Sequence, residues 1–239
     1  MMSDFYTGLV ADLYSPLRGE PVDPEPYARF VREQGTPALE LGCGDGDPLL
    51  ALRMQGLDVE GLDSSPDMLA RCRARAVAAQ VDVVLHESAM QEMQLPRHYR
   101  SMYIAGPTFN LLPDDETAGL ALSSMYNHLE EGGTVLIPLF VPTPVPAEYL
   151  GRPRVARAPD GSTIQVTTTS VARDEDARVQ RATLRYERIR ADMHEVLERM
   201  WLLHWYTREG FEHLVSQSGL GIERVSERKA TQWEFILRR

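Results

Sequence analysis

The 239-residue chain reads as an α/β protein: a parallel sheet covered on both faces, with an N-terminal helical cap and an antiparallel β insertion after the fifth strand. Three observations predict this. Between residues 37 and 141, short apolar runs alternate with helical stretches, the signature of strand–helix units around a buried sheet. Residues 154–206 change to Val, Thr, Tyr and Arg in alternation, with turn signals at Asp160-Gly161 and Asp174-Glu175-Asp176. The chain then closes with one helix and two strand-like runs.

Element by element, residues 3–14 suit an amphipathic helix with Phe5, Leu9, Val10 and Leu13 on one face. Asp23-Pro24 starts a second helix, Asp as N-cap and Pro in the first turn. Pro37–Leu41 is a short buried strand that ends in glycines, and Pro48–Met54 is helical. Leu57–Asp63 is the second strand, and Ser65-Pro66 caps a helix to about Ala79. Val81–His86 and Tyr99–Ala105 are the third and fourth strands. A helix over Pro113–Leu129 precedes the fifth strand, Thr134–Val141. Four prolines in 142–153 mark an extended connector. Thr207–Gly210 opens a helix that Gly219 ends, and Ile222–Glu227 and Gln232–Leu237 form the closing pair.

Composition excludes several classes. Hydrophobic residues at 43% and charged residues at 25% are globular values. A net charge of −10 repels polyanions, so nucleic acid and anionic membranes are not expected partners. Two cysteines, Cys43 and Cys72, make neither a disulfide framework nor a four-Cys zinc site. No signal peptide is visible, and the longest apolar run, Val135–Val141, is far short of a membrane span. The expectation is a soluble cytoplasmic protein, monomer or homodimer, with no metal.

The chemistry lies in residues 38–47. Gly42, Gly44 and Gly46 stand where a strand turns into a helix, so backbone N–H groups can approach a ligand without a Cβ in the way. Asp63 ends the next strand, where an acid accepts bonds from a ribose diol. Either a nicotinamide dinucleotide or S-adenosylmethionine fits that pairing. Three features favour the latter. Glu40 would welcome a cationic ligand and repel a pyrophosphate. The third dinucleotide glycine is missing, since position 47 is Asp. The chain ends in a strand pair rather than another strand–helix–strand unit.

Leu39–Gly46 (LELGCGDG) resembles the first motif of the class I S-adenosylmethionine-dependent methyltransferases. Gly61–Leu69 (GLDSSPDML) resembles their second, and Glu131–Leu136 (EGGTVL) their fifth strand. The resemblance covers 37–141 and 207–239 and implies a Rossmann-like seven-stranded sheet, six strands parallel and one antiparallel. Ala11–Gly19 resembles the N-terminal cap of small-molecule methyltransferases, here 1–36. The insertion, 142–206, ends in Trp201–Thr207 and is similar in layout to aminosugar N-methyltransferases. It would cover an acceptor pocket or make a dimer contact.

The cofactor contacts expected from motif and resemblance together are Tyr14, Arg18, Glu40, Gly42, Gly44, Asp63, Ser64, Met68, Ala89, Met90 and Ala105. Tyr14 and Arg18 would reach the cofactor's carboxylate or lie in a solvated loop. Met68 would pack on adenine or in the core. Ala89 stands where many members carry an acid or amide for adenine, which leaves backbone groups near Ala89–Met90, or Ser88 or Gln91. For the acceptor, Tyr6, Phe109, Asn110, Trp201 and Tyr206 are the candidates; Phe109 and Asn110 read equally as a core aromatic and a cap. His204 is the candidate general base, or a buried strand histidine. The acceptor expected is a small molecule with an N or O nucleophile, such as a sugar or natural-product intermediate. The alternatives are a methyltransferase fold that binds the cofactor without turnover, and a nicotinamide-dependent oxidoreductase.

Overall fold

The computed structural model describes residues 5–239. Two sheets organise the molecule. The larger has seven strands. In chain order they are β1 (Ala38–Leu41), β2 (Val59–Asp63), β3 (Leu85–Glu87), β4 (Tyr99–Tyr103), β5 (Leu129–Phe140), β10 (Gly221–Lys229) and β11 (Gln232–Arg238). Their spatial order is β10-β11-β5-β4-β1-β2-β3. The pairs among β1 to β5 are parallel, and β11 runs antiparallel to both β5 and β10. That is the six-plus-one arrangement the resemblance implies. The smaller sheet stacks β6 (Pro153–Arg157), β7 (Thr163–Asp174), β8 (Val179–Arg190) and β9 (Met193–His204) in sequence order, all antiparallel.

Strand alternation divides the core. Leu39 and Leu41 of β1 face a cluster with Met102, Ile104, Phe109, Phe211 and Phe235, under α5 (Asp115–His128) and α6 (Arg208–Ser218). Ala38 faces the other side, with Tyr103, Leu136 and Ile236, under α2 (Glu25–Gln34), α3 (Leu49–Met54) and α4 (Pro66–Ala78). Because side chains alternate, Glu40 shares that second face. A third cluster joins α1 (Leu9–Arg18) to the small sheet: Leu9, Val10, Leu13 and Leu17 pack with Ile164 and Tyr186.

Three elements differ from the sequence expectation. The first helix spans Leu9–Arg18, not 3–14; residues 3 and 4 lie outside the described residues. Gly8, at φ 53°, ends the preceding turn, and the apolar face recurs through Leu9, Leu13 and Leu17. The third strand is Leu85–Glu87 rather than Val81–His86. The Val81 N–H instead bonds the Ala76 carbonyl, so the start of that run closes α4. The fifth strand begins at Leu129, five residues early, and passes through Gly133. A Cβ there would lie 2.9 Å from the Glu130 carbonyl oxygen and 3.1 Å from that of Arg100.

Those neighbours are backbone atoms and cannot rotate away. Gly133→Ala is therefore expected to cost about 1–3 kcal/mol as overpacking, read as a lower urea midpoint. An unchanged midpoint would contradict the packing at that bend.

Candidate functional site

The glycine loop, residues 42–47, joins β1 to α3 at the carboxyl ends of the parallel strands, where open α/β sheets bind ligands. Gly42 has φ 74°, and a Cβ on it would meet the Thr108 methyl at 2.4 Å, so only glycine serves. Asp63, at the end of β2, turns back to this loop. Its carboxylate accepts from the N–H groups of Gly44 and Ser65, both at 2.8 Å. The Ser64 N–H also faces it. Burial pushes its carboxyl above the usual range while those three amides pull it down. Ser65 caps α4 by accepting from the Met68 N–H at 3.2 Å. Met68 is buried, its terminal methyl 3.3 Å from where Gly44 would carry a Cβ. It packs against the glycine loop from below.

Glu40 lies behind the loop and is wholly buried. The Tyr103 hydroxyl donates to Oε2 at 2.7 Å, and Oε1 has no partner among the described residues. Burial pushes this carboxyl up to about 8, with Asp47, Asp63 and Asp45 adding repulsion. An unpartnered buried carboxylate oxygen fits a cationic ligand and opposes a phosphate.

The cap closes over the loop. Ser15 donates to Asp45, and Arg18 pairs with Asp47, which also accepts from the Val22 N–H at 3.1 Å. Arg75 of α4 meets Asp45 at 2.8 Å. Asp12 joins Arg71 of α4 to Arg188 of β8, the latter at 3.0 Å. The Arg18 guanidinium lies 5.4 Å from the Tyr14 ring centre. Tyr14 and Arg18 are thus over the loop, not in a solvated stretch. Tyr6 stands edge-on to Tyr14 at 5.6 Å, its backbone carbonyl bonded by the Ser65 hydroxyl at 2.6 Å. Its phenol faces the Trp201 side chain, Tyr186 and Asp63. Burial raises the Tyr6 and Tyr14 hydroxyls above their usual range and pushes Tyr186 up to about 12. Tyr6, Tyr14, Tyr186 and Trp201 therefore form one aromatic group beside Asp63.

The loop after β3 is tied to Asp63 by the Ser88 N–H, 3.1 Å from the Asp63 carbonyl oxygen. Ala89 is half-buried, its carbonyl accepting from the Glu92 N–H at 3.0 Å and the Ser88 hydroxyl at 3.1 Å, whereas Met90 is buried in the core. Ala105 follows β4, next to Gly106, whose N–H donates to the Tyr27 hydroxyl at 3.3 Å.

Four acceptor-side candidates are placed elsewhere. Phe109 and Tyr206 are wholly buried and pack with Phe211 in the core, so neither lines a chamber. The Asn110 amide is a splice: it donates to the carbonyls of Phe140 at 3.1 Å and His204 at 2.9 Å, and accepts from the Phe140 N–H at 3.3 Å. His204 is buried, its Nε2 2.9 Å from Asp115 of α5 and its ring edge-on to Tyr206. Asp115 also pairs with Arg178. These contacts are those of a strand histidine anchoring β9 to α5. His86 and His128 are likewise bonded, to Glu60 at 2.7 Å and to the Ser124 carbonyl at 2.8 Å.

Sequence reasoning missed Tyr103, Tyr186 and Asp12. Tyr103 was legible only through register, since β4 sets it beside Glu40. Asp12 and Tyr186 gain partners far away in the chain and carry no local signal. Among the described residues no group of three His, Cys, Asp or Glu could hold a metal ion, and no helix is long and apolar enough to cross a membrane.

Residues 38–133 match a family model described as a methyltransferase domain. The chain is 27% identical over 227 residues to the dTDP-3-amino-3,6-dideoxy-α-D-glucopyranose N,N-dimethyltransferase of Streptomyces fradiae, covering 91% of this chain and 86% of that one. It is 27% identical over 177 residues to the dTDP-3-amino-3,4,6-trideoxy-α-D-glucopyranose N,N-dimethyltransferase of Streptomyces venezuelae, covering 74% and 70%. Among solved structures, the CcbJ methyltransferase of Streptomyces caelestis superposes with a TM-score of 0.79 at 19% identity, over 99% and 98% of the two chains. Streptomyces venezuelae DesVI gives 0.73 at 24% identity, over 95% and 96%. Both share the fold along its whole length, small sheet included.

Glu40 gives this site a titration signature. In the unfolded chain it ionises near the usual 4.5, but in the fold only near 8. Between those values the folded state holds the extra proton, so this group's contribution to stability falls as pH rises. Glu40→Gln is expected to gain in melting temperature relative to the wild type from pH 5 to pH 8, without ligand. A difference independent of pH would contradict the placement.

Proposed function

We propose that this chain is a class I S-adenosylmethionine-dependent methyltransferase that acts on the amine of a small, sugar-like acceptor held between its cap and its small sheet. The observation that carries the reading is the junction at Tyr6. There α1, the end of β9 and the Asp63 end of the large sheet meet as aromatic walls with few polar tips. Such a lining suits a compact organic acceptor. The two Streptomyces relatives, both N,N-dimethyltransferases of amino sugars, support an amine.

The residues divide the work. Asp63 would accept from the ribose, since a carboxylate offers about four acceptor sites and three of them face backbone amides. Gly42 and Gly44 let the backbone approach. Glu40 would face the cationic end, and Arg18 and Tyr14 the carboxylate. Ser64, the Ala89–Met90 backbone and Ala105 would border the remainder, with Met68 supporting the loop from below. When bound, S-adenosylmethionine supplies a methyl group already activated by its sulfonium. Tyr6, Tyr14, Tyr186 and Trp201 would exclude water, and the sulfonium charge facing the amine would disfavour an ammonium, so the amine reacts neutral with its lone pair free. A neutral amine needs no base before transfer, which agrees with the anchoring contacts of His204.

The deciding experiment offers an amino sugar, free and as its nucleotide conjugate, and the matching hydroxyl sugar. Mass gain of one or two methyl groups on the amines alone is the expected result; gain on the hydroxyl sugar alone would overturn the acceptor class. Asp63→Ala is expected to weaken S-adenosylmethionine binding by about 1.5–3 kcal/mol in calorimetry, the loss of charge-assisted bonds. His204→Gln is expected to keep the rate within about threefold and the same pH profile, because no step requires its proton. A loss of 100-fold or more in a folded variant would restore it as a base.

A further inference from the structure

Among the described residues, the wholly buried carboxyl of Glu40 has no cation in contact with it. Its one hydrogen-bond donor is a neutral hydroxyl, Tyr103 at 2.7 Å, and its second oxygen is unpartnered. Apart from two guanidinium groups, the elements packed around it present acids and neutral groups. The glycine loop presents Asp45, Asp47 and the Cys43 thiol, and β2 presents Asp63. From α2, Tyr27 stacks on Tyr103 at 5.3 Å and its phenol senses Glu40. From α4 comes the Cys72 thiol. Both thiols are held above their usual range by burial and stay protonated. The nearby guanidinium groups are committed elsewhere, Arg18 to Asp47 and Arg75 to Asp45.

We propose that Glu40 is a proton-linked anchor: it carries a proton in the free protein and releases it as the cationic methyl donor binds, with Tyr103 as the positioning residue that steadies the carboxylate. The inference rests on the glycine loop being the cofactor site, as given under Proposed function.

The driving force is simple electrostatics. Ionising Glu40 in the free protein places an unpaired buried charge beside three carboxylates, of which only Asp45 and Asp47 are paired with arginines. A ligand bearing a sulfonium and an ammonium reverses that penalty. The proton passes to solvent, one for each ligand bound. Tyr103 contributes by donating to Oε2, because a donor bond favours the ionised form. With the carboxyl pushed up to about 8, only roughly one free molecule in ten is ionised at pH 7. Observed affinity at that pH is then about tenfold below its limit, and it climbs about tenfold per pH unit on the acid side.

The test is calorimetry of the full chain with S-adenosylmethionine at pH 6.0, 6.5, 7.0 and 7.5, each in two buffers of different ionisation enthalpy. Over most of this range the ligand's own α-amino group stays protonated, so the released proton comes from the protein. The expected result is release of close to one proton per site at pH 6.5–7 and a Kd that tightens about tenfold from pH 6 to 7. Glu40→Gln abolishes both the release and the pH dependence. Tyr103→Phe keeps the release but moves the break in affinity to higher pH, which a merely structural tyrosine would not do. Asp63→Asn weakens binding and still releases the proton.

Binding by the wild type without proton release overturns the proposal, as does undiminished release by Glu40→Gln. If Glu40→Gln fails to fold, the wild-type release and the Tyr103→Phe shift decide the matter. Absence of binding at every pH would instead sink the cofactor assignment, a result distinct from binding without release.

Discussion

Helix α1 is the part on which the two sheets depend for a common site. One face of it, Leu9, Val10, Leu13 and Leu17, is buried against Ile164 and Tyr186 of the small sheet. Burial of such side chains contributes about 1.5–3 kcal/mol each, so this face supplies the adhesion. The other face carries Asp12, Ser15 and Arg18, which meet Arg71, Asp45 and Asp47 of the large-sheet layer. Partly exposed ion pairs contribute little energy, typically below about 1 kcal/mol. Their effect is registration: Asp12 contacts Arg71 and Arg188 together, and only one seating of the helix satisfies both.

That seating explains how an acidic chain binds a cofactor that itself carries a carboxylate. Asp45, Asp47, Asp63 and Glu40 converge on the glycine loop, and the field there favours a cation. Two arginines, Arg18 and Arg75, neutralise part of it at the rim. Glu40 stays uncompensated at the centre. A hydrophobic residue of similar size would stabilise the free protein more, so the carboxyl is retained against stability, as binding sites often require.

The residues with the richest chemistry outside the loop serve architecture instead. Asn110 joins the turn after β4 to the ends of β5 and β9 by three hydrogen bonds. His204 fixes β9 to the start of α5, and Phe109, Tyr206 and Phe211 fill the space between. The small sheet is thereby locked to the large one at its far end, while α1 locks it at the near end. The aromatic group at Tyr6 is part of the near fastening, since Tyr6 and Tyr186 pack in the α1 cluster.

The glycine spacing, Glu40, Asp63, the alternation of strand and helix and the change of pattern near residue 142 were all legible in the sequence. Each depends on local backbone needs or on a period of burial, and both are written in neighbouring residues. The later start of the first helix is also written in the sequence, because Gly8, at φ 53°, breaks the helical run before Leu9. What only the tertiary structure decided was pairing across long separations. Tyr103 meets Glu40 because two parallel strands share a register, Asp12 meets Arg188 because a cap folds onto an insertion, and Asn110 meets His204 because two sheets must be joined. The same side chain, asparagine, histidine or tyrosine, serves chemistry or packing according to what lies opposite it. That partner is set by the fold, because burial makes most polar groups find one wherever the chain has brought them, and Glu40 Oε1, left without one, marks the site.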